Sequence, residues 1–489
     1  MKAFIQKILM TLLVGMLVIA CSDDWLDETS NAKITADQQF SDEDGFKDAL
    51  MGVYLGMTSP KLYAKDMTWN LVDLLAQQYA TLPSLALYDE VQQFNYRGPQ
   101  ATDQVDALWI RSYNILANIN LALEYIDDNQ EVLNPINYAI IKGELLGLRV
   151  FVHLDLMRLY GYGNLEERQN LMGEYTIPYV VNFDKDLVAP MTYAQTFDRM
   201  QEDIDMALEL LKEDPIYQDE NRPADYYLEV NRTGFYENRE QRMNYYAVKA
   251  LEARKLLWEG NTSDAAVAAE AVIANSGATL IQSDSYPIAG DPILYQEVLF
   301  CLDINGFADI VNPILTASDD GTNYDAIYLT TQMADSIFET DQVNIGLADV
   351  RFNTLLKSET RGLVSTKLIQ SGTNNPNQMP LIKLPEMYYI AAEHYWASEN
   401  LEQAITYLNT VRSSRGILDS IPLDSDSETV WEELRKEYRK EFISEGQLFY
   451  FYKRTGETEI PFLSETVELN DEIYVLPYPD SEAQFVGQN

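Results

Sequence analysis

Histidine is almost missing from this 489-residue chain, and that shortage removes whole classes of chemistry. Only His153 and His394 occur, far apart in sequence and both inside helical runs. A zinc centre built on several imidazoles is excluded, and neither residue stands in HExxH spacing. Cysteine is equally scarce, at Cys21 and Cys301 alone. If Cys21 is modified, Cys301 has no intramolecular partner, so disulfides do not hold the fold. Cys301 lies in the apolar stretch VLFCLDI, where a buried, inert thiol is expected. Positive charge is the third deficit: 35 basic residues face 77 acidic ones, a formal net charge of -42. Such a surface repels nucleic acid and an anionic bilayer alike. Phosphate loops of the GxGxxG or GxxxxGK[ST] type are missing, as is a GxSxG nucleophile elbow. With so many acids, a carboxylate pair says nothing about glycoside hydrolysis. An extracellular hydrolase therefore ranks last among the readings.

Long apolar runs are also missing, apart from Ile8 to Ala20. This run is short for a membrane-spanning helix, which needs about 20 apolar residues, and it fits a secretory signal. Lys2 and Lys7 flank its start, and Cys21 closes it before polar Ser22, Asp23 and Asp24. A bacterial lipoprotein signal leaves a small residue before the cysteine that is lipidated. Ala20 meets that need, whereas Val18 and Ile19 are bulkier than usual. Residues 1–20 are thus expected to be a signal peptide and Cys21 the lipidated first residue of the mature chain. An ordinary signal peptide with an incidental cysteine and an inner-membrane anchor are the alternatives. A lipid supplies membrane attachment without help from surface charge. Residues 21–45, acidic with few apolar anchors beyond Trp25 and Leu26, read as a tether. Residues 46–489 read as one domain with long insertions, long enough for a large core.

What remains is dominated by helical periodicity. Phe46, Leu50, Val53 and Tyr54 share one face, and Leu116, Ile119, Leu123 and Ile126 form the stripe of a helix over 103–126. Ile141, Leu145, Leu148, Val152, Leu156 and Leu159 predict another over 138–160, ended by Gly161 and Gly163. Further helices are expected at 192–211, 245–258, 263–275, 384–397, 401–412 and 430–454. Small residues such as Ala247, Ala250, Ala253, Ala391 and Ala392 permit close helix approach. The pairs resemble degenerate helix–turn–helix repeats of the tetratricopeptide type, about 34 residues each. Residues 164–190 and 276–380 are rich in loop formers. Ile177–Val181, Ala326–Leu329 and Leu363–Leu368 are their candidate strands or buried loops.

Arg149 and Arg158, with Asp155 between them, and Arg439, Glu441 and Glu445 on the last long helix are expected to act as packing clamps. Residues 318–325, SDDGTNYD, offer oxygen ligands but lack EF-hand spacing. A solvated acidic turn is expected there; a structural calcium is unsupported, and no cofactor is expected.

Several of these stretches, in order, resemble the SusD/RagB family of Bacteroidetes outer-membrane nutrient-binding lipoproteins. WLDETS (25–30) follows Cys21 as in that family, with Ser30 where proline is usual. GELLGLRVFVHLDLMRLYGYG (143–163), NYYAVKALEARKLLWEG (244–260), LPEMYYIAAEHYW (384–396) with LNTVRSSRG (408–416), and the closing YVLPYPDSE (474–482) are similar to family motifs. RKEYRKEFISEGQLFYFYKR (435–454) matches a further one, except that Gln447 replaces an arginine and Tyr450 a small or acidic residue.

The resemblance implies a mainly α fold with four tetratricopeptide-like repeats, a loop-rich region and minor β structure. It also implies a lipid-anchored protein of the outer membrane facing the cell exterior, partnered with a SusC-like TonB-dependent β-barrel transporter. The ligand would be an oligosaccharide or, in some members, a peptide; a structural accessory subunit of the transporter is the third account. Sugar binding needs aromatic faces and polar groups for hydroxyls. Trp69, Tyr79 and Tyr96, with Asn95 and Arg97, are candidates between the first helices, and Tyr324 and Tyr328 beside Asp320 and Asn323 form a second patch.

Overall fold

Side-chain caps start most of the long helices. Asp42, Asn134, Asn244 and Asp426 each accept a backbone N–H from the first turn, and Thr192 with Gln195 closes a reciprocal capping box. The elements that follow are α1 (Glu43–Met57), α2 (Pro99–Asp128), α3 (Pro135–Tyr160), α4 (Tyr193–Leu210), α5 (Tyr245–Glu259) and α6 (Thr262–Asn275). After them come α7 (Thr331–Phe338), α8 (Leu384–Ala397), α9 (Leu401–Ser414), α10 (Ser427–Glu441) and α11 (Leu448–Thr455). The structure, a computed structural model, describes residues 35–184, 187–219, 221–283, 290–318, 322–463 and 467–482. The signal segment and Cys21 lie outside them.

The fold is mainly α. Successive helices pack as neighbours from α1 through α6, and α6 continues onto α8, α9 and α10. Helix α3 is the hub and is buried almost all round from Ala139 to Tyr160. An apolar helix without a polar face belongs in the interior. Gly147 lets α5 approach it, since a Cβ there would stand 2.7 Å from Met243 and 2.8 Å from Val248. Strand β1 (Val298–Asp303) pairs antiparallel with β4 (Gln378–Lys383), and β2 (Leu356–Ser358) with β3 (Leu363–Ser365). Of the three candidate apolar pieces, Leu363–Leu368 supplies β3, Ala326–Leu329 contributes one bridge from Leu329 to Leu363, and Ile177–Val181 is a buried loop.

Two expectations need correction. The folded body begins before residue 46: Thr35 caps a short helix, Ala36–Gln39, and Phe40 is buried against Phe46 and Tyr125. Its aromatic side chain gains more from the core than from water. The single helix expected over 430–454 is two, α10 and α11, joined by an elbow. Ser444 and Gly446 adopt positive φ, 64° and 71°. Ser444 N donates to Asp73 Oδ2 at 2.9 Å, and a Cβ on Gly446 would collide with the Thr68 carbonyl oxygen. Tertiary contact with residues 66–79 thus overrides local helix propensity.

Candidate ligand-binding face

The loop after the short helix Leu71–Leu75 is built on two glutamines. Gln77, at φ 59°, donates its amide to the Gln92 carbonyl at 2.8 Å. Gln92 returns two bonds, accepting from Leu82 N at 2.7 Å and donating to Ala80 O at 3.2 Å. Beyond this brace the loop is tied to a segment far along the chain. Ala80 N donates to Tyr328 O at 2.9 Å, and Leu87 N donates to Asp325 Oδ1 at 2.6 Å. These bonds join the two regions separately expected to carry ligand contacts.

The joined segments carry exposed apolar side chains. Leu85, Leu87 and Tyr324 are 68%, 55% and 44% exposed, while Ala86 between the leucines is fully buried and anchors them. Tyr328 is half-buried, and the Arg361 guanidinium lies 5.0 Å from its ring centroid. Arg361 projects from the turn between β2 and β3. Its backbone N–H donates to Ala317 O at 3.0 Å, and Glu359 accepts from Ala317 N at 2.6 Å. Contiguous exposed apolar surface with a few fixed polar groups is the usual mark of a binding face.

Only part of the expected set sits there. Trp69 is fully buried, with Nε1 donating to Ala64 O at 2.8 Å. Tyr79 is buried and donates to Asp73 at 2.5 Å; Tyr96 is buried and donates to Ile473 O at 2.6 Å. Each ring is enclosed by core and each polar tip is satisfied internally, so none of the three is free to stack on a ligand. Asn95 and Arg97 are exposed, but Arg97 pairs with Asp480 at 3.2 Å, toward the C-terminal segment. Tyr324 and Tyr328 alone remain on the face. Leu85, Leu87 and Arg361 were not anticipated, because nothing in sequence distinguishes an exposed leucine from a core one. Asp320 lies outside the described residues, and so does part of the 318–325 turn. Among the described residues no group of three metal-ligating side chains converges.

The expected clamps form ion pairs of their own. Arg149 holds Asp203 through two bonds of 2.8 and 2.6 Å and also donates to Asn120 at 3.1 Å. Arg158 pairs with Asp155 at 3.0 Å, donates to Gln447 at 2.7 Å and stacks 3.5 Å from the Tyr450 ring centroid. Glu441 accepts from Arg351 and Arg415 at 3.0 Å, and Glu445 from Lys367 at 2.8 Å. Burial pushes the Glu441 carboxyl up, but Arg415, Lys383 and Arg351 outweigh it and hold it well below the usual range. Arg439 is looser, 3.5 Å from Glu432. Asp73, under the elbow, is pushed up to about 7 by burial despite the bonds from Tyr79 and Ser444. Burial likewise raises the Cys301 thiol well above its ordinary value.

Residues 24–226 match a SusD-like family model described as starch-binding and associating with the outer membrane, and residues 328–482 match the SusD family model. Among curated proteins none matches. Of solved structures, a SusD superfamily protein from Bacteroides thetaiotaomicron is 22% identical, with 91% of this chain and 98% of that one covered at a TM-score of 0.70. A protein described as a putative sugar binding protein from Bacteroides vulgatus is 21% identical, with coverage of 91% and 96% and a TM-score of 0.70. A surface glycan-binding protein A from Bacteroides thetaiotaomicron, solved with laminarihexaose, is 14% identical, with coverage of 91% and 98% and a TM-score of 0.66.

Proposed function

Because the chain belongs to the SusD/RagB family, we propose that it binds oligosaccharides outside the cell and delivers them to a TonB-dependent barrel transporter. The family is one of binding proteins, and the chain is not an enzyme. In this reading Cys21 carries the lipid that holds the protein on the outer membrane, and no covalent bond of the ligand is broken. No helix among the described residues is long and apolar enough to cross a membrane.

One observation supports this choice of site: the loop at 80–88 and the segment 324–328, some 240 positions apart, are hydrogen-bonded together with Leu85, Leu87 and Tyr324 exposed on them. Sugar rings present C–H faces that pack on such side chains, and Arg361 and Asp325 supply partners for hydroxyls. The glycan ligand of a structural relative is consistent with this reading.

Calorimetric titration of the purified chain with neutral oligosaccharides and with mixed peptides tests it. Saturable glycan binding, weakened about tenfold or more by Tyr324→Ala with Tyr328→Ala, is the expected result. Binding of peptides alone, or glycan binding indifferent to these substitutions, overturns it.

A further inference from the structure

Two cavities of about 300 and 580 Å³ open beside each other where α5 meets α6, and both have Tyr246 and Gly277 in their walls. No residue of the loop face lines either one. Their sizes fall in the range of roughly 300–1,000 Å³ occupied by small-ligand clefts. Four tyrosines, Tyr217, Tyr245, Tyr246 and Tyr295, contribute to the lining. The rings of Tyr217 and Tyr245 meet at 4.5 Å and 55°, and Tyr245 meets Tyr246 at 5.2 Å and 81°. Tyr246 is the buried floor; Tyr217 and Tyr245 are half-buried walls. Tyr295 closes the smaller cavity, its hydroxyl accepting from Gln241 at 2.9 Å and donating to Glu240 at 3.0 Å.

Charge and hydrogen bonding narrow the occupant. Lys249 is spent on Glu252 at 2.5 Å, and Glu240 takes the Tyr295 hydroxyl. Glu240 is the one charged lining residue without an ion pair among the described residues, so neither cavity offers a free cation to an anionic ligand. The hydroxyls of Tyr217, Tyr245 and Tyr246, in contrast, meet no hydrogen-bond partner among the described residues, and the side chains of Gln218 and Asn275 stand at the rim. Burial pushes the Tyr245 and Tyr246 hydroxyls up, so both stay protonated at neutral pH. Such a lining offers ring faces to C–H groups and neutral donors and acceptors to hydroxyls.

We propose that this groove is a second binding site, separate from the loop face, and that it takes a neutral oligosaccharide. The inference rests on the groove's own chemistry and stands whether or not the loop face binds sugar.

The test is calorimetry on the full-length chain in detergent, using neutral hexamers of glucose, galactose, mannose and xylose as probes. Two variants separate the sites: Tyr217→Ala with Tyr245→Ala in the groove, and Tyr324→Ala with Tyr328→Ala on the loop face. Thermal unfolding confirms that each is folded, and Tyr245→Phe removes one hydroxyl while keeping the ring. At least one hexamer is expected to bind the loop-face variant, with an affinity that the groove substitutions lower about tenfold or more and Tyr245→Phe lowers less. Loss of all hexamer binding in the loop-face variant, or titrations of the groove variant that match the parent chain, overturns the second site. Binding that survives the loop-face substitutions unchanged but not the groove substitutions sinks the loop-face reading and keeps this one. No binding of any hexamer by the parent chain sinks both.

Discussion

Arg415 illustrates how a charge becomes indispensable by being buried. It is fully enclosed, yet its guanidinium meets Glu297 at 2.7 Å twice and Glu441 at 3.0 Å twice. Removing it strands two carboxylates away from water, so Arg415→Ala is expected to cost about 3–5 kcal/mol, read as a lowered urea midpoint. Arg415→Lys restores the charge without the planar fork and should recover only part of that loss. His153 makes the opposite case, a buried group kept neutral. Its Nε2 accepts from Val180 N at 3.1 Å, and Nδ1 lies 2.9 Å from the Arg149 carbonyl, which fixes the tautomer. Burial, with the Arg149 charge adding to it, lowers its pKa to about 3. A depressed histidine contributes stability above its unfolded pKa near 6.5 and loses it as pH falls toward about 3. The stability gap between the parent chain and His153→Gln should therefore narrow progressively below pH 6.5 in urea unfolding.

The elbow between α10 and α11 shows which features were legible in the sequence. The apolar stripes of α2, α3, α5, α8 and α9 set out those helices within a few residues, because their periodicity is local. The break at Ser444–Gly446 was not visible, since Asp73 and Thr68, some 370 positions earlier, impose it. For the same reason β1 and β4 escaped notice: each is a short apolar run whose partner lies far away. Arg158, Gln447 and Tyr450 connect the two levels. The two departures from the family pattern, at 447 and 450, both touch Arg158, one by hydrogen bond and one by ring stacking. An arginine at 447 would face a like charge in the interior. Gln447→Arg is thus expected to destabilise the chain by about 1–3 kcal/mol, and Arg158→Gln in that background to recover part of it, as a double-mutant cycle in urea would show. The proposed ligand face was least legible. Aromatic residues are numerous between the first helices, but burial separates Trp69, Tyr79 and Tyr96 from Tyr324, and burial depends on the whole fold.

Across all 489 residues the charge balance of -42 acts twice, once on the fold and once on its ligand. The buried pairs of Arg415, Arg351 and Lys367 sit beyond the reach of salt, whereas the surplus carboxylates repel one another over about 30 Å at 0.01 M salt and only about 8 Å at 0.15 M. Raising sodium chloride across that range should therefore raise the melting temperature by a few degrees, because screening relieves the compact state more than the expanded one. The same field separates the two ligand classes. A neutral glycan carries no charge for the surface to attract, so its affinity should change by less than about twofold over that range. A cationic peptide would be drawn to the acidic surface and would weaken sharply as salt rises. Titrations at both salt levels, with a neutral hexasaccharide and a lysine-rich hexapeptide, read this directly. A glycan affinity that falls steeply with salt would mean that recognition runs through charge, and the stacking account of both the loop face and the tyrosine groove would then fail.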